Sequence, residues 1–464
     1  MKNKFYITTS IAYTNAPPHI GYALELVQAD VLARYHKILG EDVFFLTGTD
    51  EHGAKIVRAA EKAGKSPKEF TEDISEEFKK LTKSLGLSND DFIRTTDQKR
   101  HWPNVKKVWS KLKEKGDIYK KEYEGLYCVG CEAFIKEKDL VEGKCPIHQK
   151  KPEIIKEENY FFKLSKPEYV DQIKKEIEKN EINIIPGARK NEILSFINQG
   201  VEDISISRSK ENLQWGIPVP GDESQTIYIW FEALINYLFP KDKGYWPPDI
   251  QCVGKDIFRF HALIWPIMLL ALGIERPKNI LVHGFITSGG QKISKSLGNV
   301  VDPFVLIKKY GADAVRYFLL REIPSTEDGD YTEEKFIERY NGDLASGLGN
   351  LVARVITLAK ISNSKFLISK KISISNFQER YKKALEEFKF NEALNIVWEL
   401  ISFCDKYIEK ERLWESKDEK VIGELLFVLK NIADLLKPFL PETSDKILKQ
   451  LKTKKSEPLF PRFK

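Results

Sequence analysis

The sequence predicts an α/β domain of the Rossmann-like type, interrupted by a cysteine-rich insertion and followed by an all-α helix bundle. Three observations predict this fold class: an early strand–helix–strand pattern, a group of cysteines in mid-chain, and helical periodicity through the C-terminal third. With 464 residues, the chain can form two or three domains, each with its own core. We find no apolar run long enough to span a bilayer and no signal peptide at the N-terminus.

The N-terminal pattern alternates between strand and helix. Residues 5–9 are aromatic and β-branched and predict a buried strand, and residues 43–46 predict a second one. Between them, Pro17 and Pro18 lead into apolar residues at helical spacing that run from His19 to Gly40. The ligand of such a unit is expected beyond the carboxyl ends of the strands.

The start of this helix is a candidate phosphate site. Unpaired N–H groups at a helix N-terminus attract anions, His19 adds a ring donor, and Gly21 removes a side chain where a nucleotide approaches. The alternative is a turn with an ordinary surface histidine. A second basic motif later in the chain favours the phosphate site.

That second motif is Lys-Ile-Ser-Lys-Ser, residues 292–296, in a stretch that contains four glycines. We expect a mobile loop whose lysines, Lys292 and Lys295, meet the β- and γ-phosphates as pyrophosphate leaves. The motif follows a predicted strand at residues 279–282 and precedes a helix entry at Asp302 and Pro303. A solvated basic turn is the alternative.

Four residues in mid-chain have the spacing of metal ligands. Cys128 and Cys131 form one knuckle, and Cys145 and His148 form a second one thirteen residues later. Three thiols and one imidazole match a closed, tetrahedral structural zinc site. A redox pair of Cys128 and Cys131 is the alternative. The remaining cysteines, Cys252 and Cys404, are expected to be buried, and the odd number of five fits a reducing cytoplasm.

The pattern divides the chain into five segments. We predict the first catalytic half at 1–114, the insertion at 115–225, the second catalytic half at 226–284, a lysine-loop and linker region at 285–345, and the helix bundle at 346–464. The second half is expected to begin with a strand at residues 226–230 and to continue with another at 250–256. In the bundle, apolar stripes at helical spacing predict at least three long helices.

Residues 17–22, Pro-Pro-His-Ile-Gly-Tyr, and residues 292–296 together resemble the HIGH and KMSKS signatures of the class I aminoacyl-tRNA synthetases. Among these enzymes the chain resembles the methionyl-tRNA synthetases. Its insertion is too short for an editing domain, it has a single Cys3His knuckle, and aromatic residues fall where that family builds its side-chain pocket. The resemblance covers the whole chain and implies the short form, without a C-terminal dimerisation domain.

The resemblance implies a Rossmann-like catalytic domain, a zinc-containing insertion and an anticodon-binding bundle, which together act as a methionine–tRNA ligase. The methionine carboxylate would attack the α-phosphorus of ATP, giving methionyl-adenylate and pyrophosphate. The terminal ribose hydroxyl of tRNA(Met) would then receive the methionyl group, for translation initiation and elongation. It also implies Mg2+ with ATP, one structural Zn2+, no membrane, a monomer and a cytoplasmic location. The net charge of +6 allows a nucleic-acid partner without requiring one.

The resemblance also implies the residues of each site. Catalysis would use His19, Tyr22, Lys292 and Lys295. ATP binding would add Pro18, Gly21, Ser294 and Ser296. Methionine would contact Ser10, Ile11, Tyr13, Asp50, Trp230, Ala233, Leu234, Tyr237, Ile257, His261 and Trp265. The metal ligands would be Cys128, Cys131, Cys145 and His148, and the anticodon would meet Asn350, Arg354 and Trp414. The chain departs from the family pattern at Tyr22, where a second histidine is usual, at Leu234 (proline) and at Ser10 (alanine).

The chemistry of these residue types suits methionine. Its polarizable sulfur is best held against ring edges, with a tyrosine hydroxyl or a histidine N–H as donor, and the Asp50 carboxylate is a sensible partner for the ammonium group. Ordinary core packing is the alternative for each aromatic residue, and core capping is the alternative for Trp414.

Two rival functions stay open at this point. One is a nucleotidyltransferase of the same superfamily that does not use tRNA, which would leave the bundle and the insertion without a task. The other is a zinc-containing RNA-binding module without catalysis, which would not bind ATP.

Overall fold

The computed structural model describes residues 2–128, 133–135, 137–146, 149–293, 298–362, 365–367 and 374–463. The chain forms two compact units. Unit 1 comprises Met1–Pro18, Glu41–Lys80 and Asn89–Val282, and unit 2 comprises His19–Gly40, Leu81–Ser88 and His283–Lys464. Because the chain crosses between the units several times, they do not coincide with the five predicted segments, and that division stays a prediction.

The strands of the described residues are, in chain order, β1 Lys4–Tyr13, β2 Asp42–Asp50, β3 Asp91–Arg94, β4 Ile118–Cys128, β5 Ala133–Ile135, β6 Glu153–Phe162, β7 Asn183–Ile185, β8 Ile204–Ser205, β9 Ser207–Ser209, β10 Pro218–Val219, β11 Asp222–Ile227, β12 Ile250–Gly254, β13 Asn279–His283, β14 Ile286–Ser288, β15 Gln291–Lys292 and β16 Gly329–Tyr331.

The α-helices are α1 Ile20–Ile38, α2 Ala54–Lys62, α3 Pro67–Ser84, α4 Trp102–Glu114, α5 Pro167–Glu178, α6 Gly187–Asn198, α7 Ile229–Leu234, α8 Trp265–Leu272, α9 Pro303–Tyr310, α10 Ala312–Arg321, α11 Glu333–Arg339, α12 Asn350–Ser362, α13 Ile374–Glu386, α14 Phe390–Lys410, α15 Leu413–Ser416, α16 Glu419–Leu436 and α17 Pro441–Thr453. Two π-helical stretches, Phe260–Ile264 and Tyr340–Gly349, precede α8 and α12.

The main sheet of unit 1 confirms the Rossmann-like prediction. Its strand order is β3-β2-β1-β12-β13-β7. Strand β1 pairs in parallel with β2 and β12, β2 with β3, and β13 with β7. The order reverses between β1 and β12, and a crevice for a ligand is expected at this switch point, beyond the carboxyl ends of the two strands.

The structure differs from the predicted boundaries of the insertion in two places. Strand β7, which lies inside the predicted insertion, forms the edge of the main sheet next to β13. Thr226 and Ile227, expected to open the second catalytic half, instead end β11 and pair antiparallel with β9. Buried residues of the insertion, such as Ile173 and Ile184, share a core with Val282 of the main sheet, so the inserted segment is built into the catalytic core.

In unit 2, a buried ion pair holds α1. Asp30 and Arg316 are both fully buried, with Arg316 Nη1 2.8 Å from Asp30 Oδ2. The Arg316 guanidinium also donates to the carbonyls of Phe439 (2.7 Å) and Pro438 (2.9 Å), which follow α16. Asp30 accepts from the backbone N–H of Ser88 at 2.7 Å. One charge pair therefore connects α1, α10 and the turn between α16 and α17.

The C-terminal part of unit 2 is helical, as predicted. The third predicted stripe, Ile422, Leu425, Leu429, Ile432 and Leu436, is buried along α16. The second predicted stripe consists of Ala384, Phe388, Ala393, Ile396, Leu400 and Phe403. It is interrupted, because Phe388 lies between α13 and α14 with a φ of 60°, and Phe403 is 38% exposed.

Judged by length and composition alone, one helical stretch could span a bilayer, so the expectation that none could is wrong by this criterion. The stretch Glu333–Ser362 is long and apolar enough because α11, a π-helical stretch and α12 run on without a break. A core helix meets the same criterion. Leu351, Val352, Val355 and Ile356 of this stretch are buried, and α12 contacts α16.

Candidate functional site

The predicted amino-acid pocket lies in unit 1, at the carboxyl edge of the main sheet. Ser10 and Tyr13 belong to the end of β1, Asp50 ends β2, and Ile257 follows β12. Tyr13 and Asp50 are register partners, and the pairing of β1 with β2 shifts between Thr8 and Ile11, so Ser10 lies in an irregular stretch. Such irregularities often re-aim side chains next to functional sites. These residues border the switch point of the sheet.

Tyr237, His261 and Trp265 contact one another. The Tyr237 hydroxyl lies 2.7 Å from His261 Nε2, and the Tyr237 ring is 6.0 Å from the Trp265 ring. His261 Nδ1 lies 3.0 Å from the carbonyl of Ile257, which can only accept, so Nδ1 carries the proton in the neutral ring. Tyr237 therefore donates its hydroxyl proton to His261, and an incoming sulfur would have to share that donor.

Trp230 opens α7, and its ring stacks on Phe260 with centroids 3.9 Å apart and an interplanar angle of 12°. Phe260 directly precedes His261 in a π-helical stretch, a feature often found at functional sites. Sequence reasoning named Trp230 but missed Phe260. A period of 3.6 residues assigns residues to a helix face and cannot show that two aromatic rings from different segments stack.

The remaining residues of the predicted pocket differ from one another in what they pack against. Ala233 and Leu234 are buried on α7. Ile11 packs against a small core of Tyr6, Phe44, Leu46 and Ile93, so its contacts are those of a core residue. The structure thus joins Tyr237 to His261 and Trp265 and places Ile11 against a separate core.

Ion pairs and hydrogen bonds fix the segment that follows β2, and the sequence analysis did not predict them. Glu51 is fully buried and accepts two hydrogen bonds from Arg94, at 2.7 and 2.9 Å. Its backbone carbonyl accepts from Trp215 Nε1 at 2.6 Å. His52 Nδ1 lies 2.6 Å from Glu232 Oε1 on α7. The run Asp-Glu-His at residues 50–52 was the available signal, because three ionisable residues directly after a buried strand are unusual.

His19 caps the N-terminus of α1. Its Nδ1 accepts a hydrogen bond from the backbone N–H of Gly21 at 3.1 Å. Nδ1 is therefore unprotonated, and the neutral ring carries its proton on Nε2, where it can serve as a donor. A Cβ at Gly21 would lie 2.9 Å from His19 Cε1, so Gly21 is needed for the histidine ring itself. Sequence reasoning had assigned that glycine to the approach of the nucleotide.

The second motif begins in an ordered hairpin. Strands β14 and β15 pair antiparallel through Gly289 and Gly290, which have φ angles of 61° and 76°, and β14 pairs in parallel with β16. Asp330 accepts from Gly290 N–H at 2.8 Å and from Thr287 Oγ1 at 2.7 Å. Two of the glycines thus form a tight turn, which the expectation of a mobile loop did not foresee. The backbone of Lys292 belongs to β15, whereas Ser294, Lys295 and Ser296 lie outside the described residues.

Within unit 2, α1 contacts both segments that flank this motif. Ile20 N–H donates to the Val301 carbonyl at 3.1 Å, just before the Asp302 cap of α9. Glu25 Oε2 lies 2.9 Å from Nε2 of His283, the last residue of β13. Helix α1, which follows His19, and the segments on either side of the second motif are therefore neighbours within unit 2. Pro18 belongs to unit 1, and Tyr22 is half-buried in the first turn of α1.

Two of the predicted metal ligands are described. Cys128 ends β4, and the Cys145 carbonyl accepts from Gln149 N–H at 2.7 Å; both cysteines are buried. Cys131 and His148 lie outside the described residues, and among the described ones no three possible ligands are placed to hold a metal ion together. Cys252 and Cys404 are buried, as expected, and burial raises the pKa of the Cys404 thiol.

The predicted anticodon residues lie on the helix bundle. Asn350 is exposed at the start of α12, and Arg354 follows one turn later. Arg354 pairs with Asp405 at 3.3 Å and with Glu409 at 2.5 Å on α14. Burial raises the pKa of Asp405, against the attraction of Arg354. Trp414 is 48% exposed, whereas its neighbour Leu413 is fully buried.

Comparison with protein families assigns most of the chain. A model described as tRNA synthetases class I (M) matches residues 5–151 and 137–356, and a model of the anticodon-binding domain of tRNA ligases matches residues 372–462.

Curated relatives give the same result. The methionine–tRNA ligase of Caldanaerobacter subterraneus subsp. tengcongensis is 44% identical over 97% of this chain and 74% of its own length. The enzyme of Bacillus subtilis is 40% identical over 99% of this chain and 78% of its own. Among solved structures, Mycobacterium tuberculosis methionyl-tRNA synthetase in complex with methionyl-adenylate has a TM-score of 0.90 at 36% identity, covering 96% of this chain and 93% of that one.

Proposed function

The chain belongs to the methionyl-tRNA synthetase family of class I, and on this premise we propose which of its residues perform each part of the reaction. The enzyme activates methionine with ATP to methionyl-adenylate, releasing pyrophosphate, and then transfers the methionyl group to tRNA. No covalent enzyme intermediate is needed, so positioning and charge stabilisation supply the catalysis.

His19, Tyr22, Lys292 and Lys295 act on the phosphates of ATP, with Pro18, Gly21, Ser294 and Ser296 lining the nucleotide. The observation that carries this proposal is the cap geometry of His19, which leaves the Nε2 proton as donor at the start of a long helix. The hairpin of β14 and β15 supports the entry of the lysine loop. Mg2+ bound with ATP would neutralise part of the phosphate charge.

The pocket of Tyr237, His261 and Trp265, closed by Trp230, holds the methionine side chain. Ser10, Ile11, Tyr13, Ala233, Leu234 and Ile257 complete it. Asp50, at the end of β2, binds the ammonium group of methionine. The carboxylate of methionine is then free to attack the α-phosphorus of ATP. Support comes from the ring contacts at the switch point of the sheet and from the burial of Asp50, which is 5% exposed.

Cys128, Cys131, Cys145 and His148 bind one structural Zn2+. The two described cysteines suit this role because both are buried. A bound zinc would fasten the segment of Cys145 to the four-stranded sheet of β4, β5, β6 and β8.

Asn350, Arg354 and Trp414 bind the anticodon of tRNA(Met). Half of the Trp414 ring surface is open to stack on an unpaired base, and Asn350 is exposed one helical turn before Arg354. We place the enzyme in the cytoplasm, where tRNA is charged. The expectation of a monomer stays a prediction.

Replacing Trp230 tests the methionine pocket. We expect Trp230→Ala to raise the KM for methionine at least about tenfold, a loss of about 1.4 kcal/mol, because the ring stacked on Phe260 closes the pocket. The KM for ATP should stay within about twofold. Methionine-dependent ATP–pyrophosphate exchange measures both constants. Trp398→Ala, which removes a half-buried tryptophan of α14, is the control and should leave both unchanged. Equal effects of the two substitutions would refute the pocket.

Gly21→Ala, which adds one methyl group, tests the role of His19. The new Cβ would displace the histidine ring, so we expect the kcat of exchange to fall at least about tenfold with the KM for methionine unchanged. Alanine favours helix formation over glycine, so a weaker helix would not be the cause. Gly187→Ala, at the first residue of α6 with open space around it, is the control and should be fully active. An active Gly21→Ala enzyme would contradict the proposed role.

Metal analysis tests the zinc site. Freshly purified protein should contain about one zinc per chain, and Cys145→Ser should lose it because a closed site needs all four ligands. Cys404→Ser removes a buried thiol of the helix bundle and should keep the metal. Protein without zinc, or equal metal content in both variants, would rule out the assignment.

Trp414→Ala should lower kcat/KM for aminoacylation of tRNA by a factor that corresponds to about 1–3 kcal/mol, the value of one base–aromatic stack. ATP–pyrophosphate exchange, which does not use tRNA, should stay normal. Because the ring is half exposed, the free energy of unfolding should change by less than about 1 kcal/mol. Leu413→Ala, one residue earlier but fully buried, should cost about 2–5 kcal/mol of stability. If both reactions of Trp414→Ala fell together with its stability, the ring would be structural.

A further inference from the structure

A buried group of three ionisable side chains in unit 1 has no role in the reaction as described so far. Glu232 is fully buried on α7, His52 follows β2, and His101 caps α4. His52 Nδ1 lies 2.6 Å from Glu232 Oε1, which is a strong hydrogen bond. His101 Nε2 lies 3.6 Å from Glu232 Oε2, beyond hydrogen-bond length and within the range of an ion pair.

The carboxylate of this group is ionised. Burial alone would raise the pKa of Glu232, but the attraction of His52 and the pairing with His101 outweigh it, so the pKa lies below its usual value. A buried carboxylate needs partners, and the two imidazoles beside Glu232 are the ones the structure gives it. A short bond to a charged partner is stronger and more directional than a neutral one.

These charges connect two elements of the proposed methionine pocket. Glu232 lies between Trp230 and Ala233 on α7, and His52 lies two residues after Asp50. Helix α7 has six residues, lacks a side-chain cap and runs directly into a 3-10 turn. A helix this short has little stability of its own, so contacts with its side chains determine where it lies.

The other end of the connection is rigid. The His52 ring packs edge-on against Trp215, with centroids 5.5 Å apart, and at an angle against Trp102 at 6.1 Å. Both indoles are fixed by hydrogen bonds to backbone carbonyls, of Glu51 and Thr95 respectively. His52 is therefore an anchor whose place does not depend on α7.

We propose that Glu232 is a positioning residue for methionine: through His52 and His101 it holds α7, with Trp230, against the segment that carries Asp50. The residue does not touch the substrate in this role. It sets the distance between Trp230, which contacts the methionine side chain, and the Asp50 carboxylate, which binds the ammonium group. The inference rests on the proposed methionine pocket.

Glu232→Gln tests the proposal, because it keeps the shape of the side chain and removes its charge. The KM for methionine in ATP–pyrophosphate exchange should rise at least about tenfold, with the KM for ATP within about twofold and kcat within about threefold. Glu176→Gln is the matched control. Glu176 is also buried and ionically paired in unit 1, but its partner is Arg276, on the loop after α8. This variant should lose stability and keep its KM for methionine.

His52→Asn is a second variant in case Glu232→Gln does not fold. It removes the ring that packs against Trp215 and Trp102, keeps His101 as the partner of Glu232, and should also raise the KM for methionine. Melting curves of all variants establish the folded fraction. A folded Glu232→Gln or His52→Asn enzyme with a wild-type KM for methionine would overturn the proposal. So would a proportional change of both KM values and kcat, which marks a purely structural role.

Trp230→Ala, measured in the same assay, separates this inference from the proposal on which it rests. If Trp230→Ala raises the KM for methionine and Glu232→Gln does not, the pocket stands and the positioning role is wrong. If Trp230→Ala also leaves the KM unchanged, the pocket itself is wrong, and the positioning role is overturned with it.

Discussion

The buried ion pair between Asp30 and Arg316 is the constraint on which unit 2 depends. Both side chains are fully buried, and the guanidinium also binds the two carbonyls that follow α16. Removing one partner of such a pair typically costs about 3–5 kcal/mol, against a total stability of about 5–15 kcal/mol for a domain. Burial would raise the pKa of Asp30, but Arg316 and Arg34 hold it below its usual value, so the charge persists. The helix capped by His19 is thus fixed at its middle to the turn between α16 and α17.

Its first three turns are held by three further bonds, from Ile20 to Val301, from Glu25 to His283 and from Gln28 to Ser325. His283 precedes the lysine motif in the sequence, and Val301 and Ser325 follow it. A cap at His19 is useful for phosphate only if its helix keeps a constant relation to that motif, and these bonds along α1 provide this. The helix capped by His19 is bonded to the segments on both sides of the second signature, which is how two short motifs far apart in the chain come to depend on one helix.

Local sequence rules predicted much of this arrangement and failed where pairing is non-local. Strands β1, β2 and β13, helix α1 from His19 onward, and the entry to α9 at Asp302 and Pro303 follow from apolar spacing and helix start signals. The edge strand β7 did not, because three residues in an insertion carry no signal of their partner in the main sheet. In the pocket, ring types were predictable, whereas the stack of Trp230 on Phe260 and the bond of His52 to Glu232 depend on how distant segments fold together.

The ion pairs of the proposed anticodon surface are exposed, unlike the buried pair of Asp30 and Arg316, and this changes how much free energy they contribute. Arg354 meets Asp405 and Glu409 in pairs whose side chains are 27–59% exposed. Exposed pairs of this kind are worth about 0–1 kcal/mol, several-fold less than the pair of Arg316. An RNA phosphate or base could therefore draw Arg354 away from its carboxylates at little cost, while the same energy would not disturb Asp30. One unit thus combines a rigid attachment for the helix of His19 with a surface whose charges can be re-paired, as recognition of a flexible RNA loop requires.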